Sequence, residues 1–217
     1  MPAHTGQARL NALDRRHQLL EAALDFFSRK GFEGTTTKEI AAAAGVTEAI
    51  VFRHFLSKQA LYQAVLDHCH GSSKTQKFLA AIRACMLRKD DLALFRYIFS
   101  AVLRSFREDP RMERLLLFAA LEGHEQGLAH VREVSNPIYE LLREYILGRQ
   151  SEGKLRNIAP SLILIAISGM AKQYAMLTQM FGYPADMPDE NVADAMTAIL
   201  MAGIQTQPPR ARTRARK

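Results

Sequence analysis

The sequence predicts an all-α fold. Apolar residues make up 48% of the 217 residues, which is enough for a sizeable core, whereas Gly and Pro number only 12 and 8. A chain rich in Ala and Leu and poor in Gly and Pro favours helices. Apolar residues recur with the helical period along most of the chain, and no run of alternating β-branched residues is long enough to indicate a sheet. A chain of this length forms one large domain or two smaller ones.

The first helix is expected to begin near Leu13 and to end near Lys30. Apolar positions within it follow the helical period, and Gly31 supplies the positive φ that favours the residue just after a helix. We interpret His17, on or near the apolar face, as a packed or half-exposed histidine rather than a ligand. The apolar face of this helix is expected to cover the elements that follow, which are too small to bury themselves.

Residues 36–55 are expected to form two short helices joined by a tight turn. Thr36 and Glu39 have the spacing of a capping box, and Gly45 provides the positive φ for the turn. Thr47 is expected to cap the second helix, which runs to about His54. Two short helices joined by a turn that contains Gly match the DNA-binding helix-turn-helix.

These residues belong to a longer pattern that resembles the N-terminal domain of TetR-family (tetracycline-repressor-like) transcriptional regulators. The resemblance covers about residues 13–66, and it rests on Phe26-Phe27, Gly31-Phe32, Thr35-Thr36, Ile40-Ala41, Ala44-Gly45-Val46-Thr47, Phe52-Arg53-His54-Phe55, Lys58 and Leu61. It implies an N-terminal three-helix DNA-binding domain with a helix-turn-helix, followed by a C-terminal helical bundle for ligand binding and dimerisation. The sequence departs from the family at Phe52, where Tyr is usual, and at Ala49, where Gly is frequent.

The domain organisation follows from breaks in the helical pattern. Ser57 is expected to cap a fourth helix that links the two halves, and Gly71-Ser72-Ser73 interrupts the pattern after it. Within the second half, Asn136 is expected to cap a helix with Pro137 at its first position, and Pro160 and Asp189 to open the last two helices. We expect a disordered leader (1–12), the DNA-binding domain (13–71), the effector-binding and dimerisation domain (72–206) and a basic disordered tail (207–217).

The net charge of +7 is not evidence for DNA binding by the first domain. Residues 1–70 hold eight Lys/Arg and seven Asp/Glu, whereas residues 207–217 hold five Lys/Arg and no acid. The prediction of DNA binding therefore depends on the helix-turn-helix. For the tail, a solvated charged segment is the preferred interpretation, and non-specific contact with DNA is the alternative.

The DNA-contacting residues are predicted from the geometry of the motif. A recognition helix places its N-terminal side chains on base edges in the major groove, and the N-terminus of the preceding helix offers N–H groups to a phosphate. The resemblance implies that His54 and Lys58 contact the DNA backbone and that Phe52 fills an aromatic position of the family. The alternative is that the threonines are only helix caps and Phe52 only core. The predicted set is Thr36, Thr37, Lys38, Thr47, Glu48, Ala49, Ile50, Phe52, Arg53, His54 and Lys58.

The resemblance also implies a cavity for a small hydrophobic effector inside the C-terminal bundle. Polar residues within apolar helices, and the Phe and Met residues near them, are the candidates for its lining. The alternative is that these side chains are ordinary core or surface residues. The candidates are Phe99, Phe118, Glu122, His124, Tyr139, Met170, Gln173, Tyr174 and Met176, with Lys172 less favoured.

The last two helices are predicted to form a homodimer interface. The helix from Pro160 is apolar around most of its circumference, so it must be buried on more than one side. The helix from Asp189 is slim, because it is rich in Ala, and permits close approach. In a two-fold dimer the same patch on both subunits meets, and the predicted interface is Leu162, Ala166, Gly169, Met170, Ala195, Ala198 and Ala202.

Other classes of site receive little support. Cys69 and Cys85 lack CxxC spacing, so we expect two reduced thiols, with a redox switch as the alternative. No metal-ligand spacing such as HExxH and no Gly-rich phosphate loop occurs, so no catalytic residue, metal site or cofactor is expected. The N-terminus has no signal-peptide core, and the apolar run from Leu162 to Ala171 is short for a membrane span, which predicts a soluble, cytoplasmic protein with no membrane partner.

The sequence thus predicts a sequence-specific DNA-binding transcriptional regulator, most simply a homodimeric repressor released from operator DNA by a small molecule. Within the same fold, an activator or a ligand-independent regulator is the alternative. From another class, an all-α enzyme or ligand carrier with a structural helix-turn-helix is the alternative.

Overall fold

The computed structural model describes residues 12–70 and 73–206, and these residues are almost entirely helical. An isolated antiparallel β-bridge joins Leu155 to Gln205. The all-α prediction is confirmed. The leader predicted over residues 1–12 (apart from Ala12) and the tail predicted over residues 207–217 lie outside the described residues. The helices are α1 (Ala12–Lys30), α2 (Thr37–Ala43), α3 (Glu48–His54), α4 (Lys58–His70), α5 (Ser73–Leu87), α6 (Asp91–Glu108), α7 (Arg111–Glu122), α8 (Glu125–Ser151), α9 (Pro160–Gln179) and α10 (Asp189–Ile204).

Local signals set most helix boundaries as expected. The Thr36 hydroxyl accepts from the backbone N–H of Glu39, and the Glu39 carboxylate accepts from the backbone N–H of Thr36, which completes the capping box. Ser57 Oγ accepts from Ala60 N at 3.0 Å and caps α4. Thr47 precedes α3 in an extended conformation, but its side chain makes no capping hydrogen bond. Thr47 therefore occupies the predicted cap position without its predicted bond.

The prediction that a helix begins at Pro137 is wrong, because Pro137 lies inside α8. Proline removes one helical hydrogen bond and crowds the preceding turn, so it usually marks a first turn or a break. In α8 the side chains of Leu142 and Ile146 are buried beyond the proline, and His130 is buried before it. This burial on both sides favours one continuous helix.

The chain divides into two compact units, and the division differs from the expected single boundary after residue 71. Among the described residues, the first unit contains residues 12–70 and Ser73 together with Asp109–Val134, and the second contains Lys74–Glu108 together with residues 135–206. The reason is the apolar face of α7. Leu115 is fully buried in the core of the first unit, with Met112 and Leu116 packed against it. Sequence periodicity shows that α7 has such a face but does not show which core receives it.

The first unit has one core, built where α1 and α4 cover the short helices α2 and α3. Phe27 of α1, Ile40 of α2, Val51 of α3 and Tyr62 of α4 are all buried in it. A pair of seven-residue helices buries too little surface to be stable alone. The two longer helices therefore hold the pair in place and leave its outer surface free.

The second unit has a separate core formed by α6, α8, α9 and α10, with Ile82 and Cys85 of α5. An ionic cluster accompanies it, in which Asp91 accepts a hydrogen bond from the Tyr145 hydroxyl at 2.6 Å and from Arg149 Nη2 at 2.8 Å. Burial, with Asp91 beside it, raises the pKa of Tyr145 well above its usual range. The Tyr145 hydroxyl is therefore a fixed donor to Asp91.

α9 is the one helix of the described chain that is long and apolar enough to cross a membrane, and 28% of its most apolar window is buried. The expectation that this region is too short for a membrane span is based only on the uninterrupted apolar run from Leu162 to Ala171. The helix continues past Lys172 to Gln179. One such helix is weak evidence for a membrane span, because helices of soluble proteins that bury apolar faces meet the same criteria.

Candidate nucleic-acid interface

α3 presents an exposed face opposite the side that it packs into the first core. Val51 is buried and Ile50 is half-buried, whereas Thr47, just before the helix, is exposed. The exposed helical positions fall one turn apart on one side, and they are Glu48, Ala49, Phe52 and Arg53. This side is the part of a helix-turn-helix that can enter a major groove.

Phe52 is not a core residue, since 44% of its surface is exposed. The alternative that Phe52 serves only in packing is therefore not supported. Its ring lies on the same face as Ala49 and Arg53. An aromatic ring there offers apolar contact to a sugar or a thymine methyl group, but it lacks the hydroxyl that a Tyr would offer to a phosphate.

The N-terminus of α2 combines exposed and buried polar groups. Lys38 and Thr36 are exposed, and the Thr36 hydroxyl also donates to Glu39 Oε2 at 2.8 Å. Thr37 is buried, and its hydroxyl donates to the carboxylate of Glu48 at the start of α3. Lys30 Nζ reaches Glu39 Oε1 at 2.6 Å, and this contact, with the Thr36 bonds, lowers the pKa of Glu39 to about 2. The first turn of α2 is therefore organised around two carboxylates.

His54 ends α3 close to three arginines of the first unit. The guanidinium of Arg16 lies 4.4 Å from the Phe55 ring centroid and donates to the His54 carbonyl oxygen at 3.3 Å. Within residues 12–70 and 73–206, His54 Nε2 is buried and has no hydrogen-bond partner. Burial lowers the pKa of His54, and Arg53, Arg16 and Arg15 add to this effect. These effects favour the neutral form of the His54 imidazole over the charged form.

Lys58 begins α4 with its ammonium 4.3 Å from the centroid of the Phe32 ring. Phe32 in turn packs against Tyr62 and His124, with ring centroids 5.2 and 4.4 Å away. Burial, with Glu122 nearby, raises the pKa of Tyr62 to about 12. A cation held over an aromatic ring is positioned before any ligand arrives.

Glu122 fixes the turn between α1 and α2. Its carboxylate accepts from the backbone N–H of Phe32 at 3.0 Å and of Glu33 at 3.3 Å. Gly31 has φ +74°, and a Cβ on it would lie 2.0 Å from Glu122 Oε1. The turn therefore depends both on a residue without a side chain and on this carboxylate.

The residues predicted to line an effector cavity fall into both units. Phe118, Glu122 and His124 belong to the first unit, where Glu122 and His124 contact the α1–α2 turn and the aromatic side chains beside it. In the second unit, Phe99 is buried in the core with Tyr139, Met170 and Tyr174 packed against that core. Met176 is half-buried, and Gln173 and Lys172 are exposed. The second unit thus brings four of the candidates into one cluster.

Tyr174 carries the most informative polar atom of that cluster. Its hydroxyl oxygen is buried, and no hydrogen-bond partner for it occurs in the described part of the chain. A buried hydroxyl that lacks a partner costs stability, about 1–3 kcal/mol. Such a group marks a place where a bound molecule can supply the missing bond.

Sequence reasoning missed an open cleft of about 670 Å³ between α6 and α10 in the second unit. Arg96 pairs with Asp194, and Arg107 Nη2 lies 2.6 Å from Asp189 Oδ1. Arg104 lines the same cleft and has no ion-pair partner within residues 12–70 and 73–206. The spacing of Arg96, Ser100, Arg104 and Arg107 along one side of α6 is the signal that was available in the sequence.

Comparison with known proteins identifies the family. The family of bacterial regulatory proteins called the tetR family matches residues 19–65. The HTH-type transcriptional regulator RutR of Escherichia coli O157:H7 is 30% identical over 174 residues, which cover 79% of this chain and 78% of RutR. The chain belongs to the TetR family. It is a DNA-binding transcriptional regulator, as the resemblance implied. An uncharacterized HTH-type transcriptional regulator of Bacillus subtilis, YvkB, is 28% identical over 214 residues, or 86% of this chain and 95% of YvkB.

Solved structures agree on the fold. The crystal structure of AibR in complex with isovaleryl coenzyme A and operator DNA superposes with a TM-score of 0.64 over 85% of this chain and 97% of AibR. Sequence identity is 19%, so this likeness concerns the fold alone. The ketosteroid transcriptional regulator KstR2 of Mycobacterium tuberculosis gives the same TM-score of 0.64 at 18% identity, over 92% of this chain and 98% of KstR2.

In this TetR-family chain the last two helices keep apolar side chains on the surface of the second unit. Leu162 and Ile165 of α9 are 60% and 64% exposed, and Ile199 of α10 is 65% exposed. The residues predicted for the dimer interface lie among them. Leu162, Gly169, Ala195, Ala198 and Ala202 are exposed, and Ala166 and Met170 are half-buried. These exposed side chains form an apolar patch, and contact between such a patch and water is unfavourable.

Proposed function

We propose that this TetR-family regulator is a homodimeric repressor that a small molecule releases from its operator. The observation that carries the DNA part is the exposed face of α3. Glu48, Ala49, Phe52 and Arg53 project from a helix whose opposite side is anchored by Val51. A short helix held in this way is suited to reading base edges without rearranging.

The roles proposed for the DNA-contacting residues follow from their exposure and charge. Glu48 and Ala49 lie where side chains contact bases, and a carboxylate accepts from a cytosine amino group while a methyl group meets a thymine methyl. Arg53, Lys38 and Lys58 supply the positive charge for phosphates. Thr36, Thr37, Thr47, Ile50, Phe52 and His54 complete the proposed interface. Thr37 is buried, and its role is to orient Glu48 through the hydrogen bond from its hydroxyl to the Glu48 carboxylate.

The homodimer is proposed because the apolar surface of α9 and α10 needs a partner. Two recognition helices must reach half-sites about 34 Å apart or a multiple of it, and a two-fold dimer supplies both helices. The Ala and Gly residues of the patch let helices of two copies approach closely. Burial of this patch also accounts for an apolar α9 without a membrane, in keeping with a cytoplasmic protein.

The effector is proposed to bind in the second unit, near Tyr174, Tyr139, Met170 and Phe99. This site is mostly apolar with one unpaired buried hydroxyl, which suits a small hydrophobic molecule that carries one polar group. Of the candidates in the first unit, Glu122, His124 and Phe118 are instead proposed to support the α1–α2 turn. No catalytic step is part of this function, and the relatives RutR and YvkB are HTH-type transcriptional regulators.

The test begins with selection of an operator. Purified protein is incubated with a random duplex library, and bound DNA is sequenced over several rounds. A two-fold symmetric sequence with half-sites one helical turn apart, or a multiple of it, is expected. Fluorescence anisotropy then gives the affinity of the wild type and of Lys58→Gln for that operator. Lys154→Gln removes the same charge at a position far from the proposed interface in the sequence, and it serves as the control.

The same operator separates the remaining alternatives. A library of small hydrophobic compounds is screened for loss of anisotropy, and hits are repeated with Tyr174→Phe. Release by a compound in the wild type, and weaker release in this variant, supports the proposal. Failure to enrich any sequence contradicts DNA recognition by α3. Operator binding that no compound alters, or that activates transcription in a reconstituted assay, favours a ligand-independent regulator or an activator.

A further inference from the structure

Three metal-ligating side chains converge in the first unit, away from the exposed face of α3. His17 and Glu21 lie one turn apart on α1, and His68 lies on α4. One ligand atom from each residue lies within 4.8 Å of those of the other two. We propose that His17, Glu21 and His68 bind a divalent transition-metal ion such as Zn²⁺, which links α1 to α4.

The side chains already face one another. His68 Nε2 lies 3.3 Å from Glu21 Oε1. The rings of His17 and His68 have centroids 5.1 Å apart and an interplanar angle of 83°, so the edge of one ring meets the face of the other. Bonds of about 2.0–2.2 Å in a tetrahedral site place ligand atoms about 3.4 Å apart. The His68–Glu21 pair already has this spacing, and His17 is the exposed member of the three, so its ring is the one least restrained by packing.

The carboxylate is oriented from behind. Arg111 Nη2 lies 3.0 Å from Glu21 Oε2, which leaves Glu21 Oε1 directed at His68. Arg111 is itself held by Asp109, with Nη2 2.7 Å from Oδ2 and Nε 2.9 Å from Oδ1. Hydrogen bonds of this kind orient the ligands of metal sites. Asp109 also offsets the positive charge of Arg111, which would otherwise oppose a cation.

The ligand set defines the class of ion. Two imidazoles and one carboxylate suit Zn²⁺, Co²⁺ or Ni²⁺, whereas Mg²⁺ and Ca²⁺ prefer oxygen ligands alone. Three protein ligands leave a fourth position for water. His17 is exposed and Glu21 and His68 are half-buried, so an ion reaches the site from solvent.

The expected consequence is a cross-link within the first unit. α1 and α4 are the two helices that hold the helix-turn-helix in place, and an ion bound to both restrains them together. Metal binding to the folded state alone also raises the unfolding temperature. This inference does not depend on the operator or on an effector, so it stands or falls separately from the proposed repressor function.

The experiment titrates Co²⁺ into the metal-free, full-length protein, purified without a histidine tag, and follows visible d–d absorption. The wild type is expected to develop absorption that saturates at one Co²⁺ per chain and is displaced by Zn²⁺. His17→Ala, His68→Ala and Glu21→Gln are each expected to weaken Co²⁺ binding at least about tenfold. Asp25→Asn, which replaces another carboxylate of α1 one turn from Glu21, is the matched control and is expected to bind as the wild type does.

A second measurement covers loss of folding. His17 is exposed, so its substitution leaves the core intact, and circular dichroism checks the helical content of every variant. Zn²⁺ is expected to raise the unfolding temperature of the wild type and of Asp25→Asn, but not that of His17→Ala. The proposal is overturned if the wild type shows no saturable Co²⁺ absorption. It is equally overturned if a folded His17→Ala, His68→Ala double variant keeps the wild-type affinity.

Discussion

The hydroxyl of Thr37, in the first turn of α2, donates a hydrogen bond to the carboxylate of Glu48, in the first turn of α3. Thr37 is buried and Glu48 is exposed. The bond therefore joins the two helices of the motif and holds Glu48 in one orientation on the face proposed to read DNA. A side chain ordered before binding loses less entropy when it meets a base.

Removal of this bond is expected to loosen the motif. Thr37→Val keeps the shape of the side chain but has no donor, and a hydrogen bond to a charged acceptor contributes about 1.5–3 kcal/mol. We expect urea unfolding to show a loss of about 1–2 kcal/mol. In a double-mutant cycle with Glu48→Ala, the two changes should couple by about 1 kcal/mol, and additive effects would show that the bond contributes nothing.

Glu39 makes the stability of the first unit dependent on acid pH. Its contacts with Lys30 and Thr36 lower its pKa from 4.5 to about 2 in the folded chain. Because folding lowers the pKa of Glu39, its contribution to stability is fully present above pH 4.5, the unfolded-state pKa. This contribution is lost as the pH falls from 4.5 to about 2. We expect Glu39→Gln to be less stable than the wild type at pH 6 and to approach it near pH 2.

The control for this prediction is Glu33→Gln, on the exposed turn before α2. The Glu33 carboxylate has no hydrogen-bond or ion-pair partner in the described part of the chain. Thermal unfolding from pH 6 to pH 2 is the measurement. A Glu39→Gln curve parallel to that of the wild type would contradict the assigned role of the capping box.

Lys58 is expected to contribute to DNA affinity without setting sequence preference. Lys58→Gln should weaken binding to all duplexes alike and reduce the slope of log affinity against log salt by about one. Glu48→Ala should instead change which half-site sequence binds best. Anisotropy with the selected operator and with scrambled duplexes measures both effects. An unchanged salt slope for Lys58→Gln would mean that the ammonium remains over Phe32 in the complex.

The dimer is tested at Ala198, which is exposed in the middle of α10. Ala198→Glu would bury two unpaired carboxylates near the two-fold axis, which costs several kcal/mol and should give monomers. Ala80→Glu, at an exposed alanine of α5, should leave the dimer intact. Sedimentation at micromolar concentration decides the matter, and a monomeric wild type would remove both the interface and the two-fold operator.

Two tyrosines of the second unit should respond in opposite ways to loss of the hydroxyl. The Tyr174 hydroxyl is buried and unpaired within residues 12–70 and 73–206, so Tyr174→Phe should leave stability unchanged or raise it by up to about 1 kcal/mol. The Tyr145 hydroxyl donates to Asp91, so Tyr145→Phe should cost about 1.5–3 kcal/mol. Urea unfolding of both variants is the measurement. A large loss in Tyr174→Phe would indicate that its hydroxyl has a partner in solution and would remove the argument for an effector site there.

The sequence alone predicts those structural features that depend on residues close to one another in the chain. The capping box of Thr36 and Glu39, the positive φ at Gly31 and the cap at Ser57 involve residues at most four positions apart, and each occurs as expected. The exposed apolar residues of α9 and α10 were also predictable, because a helix that is apolar all round must bury more than one side.

Features set by distant contacts could not be predicted in this way. Nothing local indicates that Glu122 accepts from backbone groups of the α1–α2 turn, and its position as a polar residue within an apolar helix predicts a cavity lining instead. The same holds for His17 and His68, which meet only because α1 and α4 pack together. At Pro137 the prediction fails for the opposite reason. Proline is a strong local signal for a helix start, but here the packing of a longer helix overrides that signal.

The contact between position 31 and Glu122 makes the order of substitutions matter during evolution. A side chain on residue 31 would occupy the space of the Glu122 carboxylate, which also binds the turn. If Glu122 is lost first, the carboxylate no longer fills this space, although the positive φ of residue 31 and the Phe118 ring, 3.0 Å from the same Cβ position, still oppose a side chain there. If residue 31 changes first, the flexible Glu122 side chain must also be forced away from the backbone N–H groups of Phe32 and Glu33. The second order is therefore the more costly one.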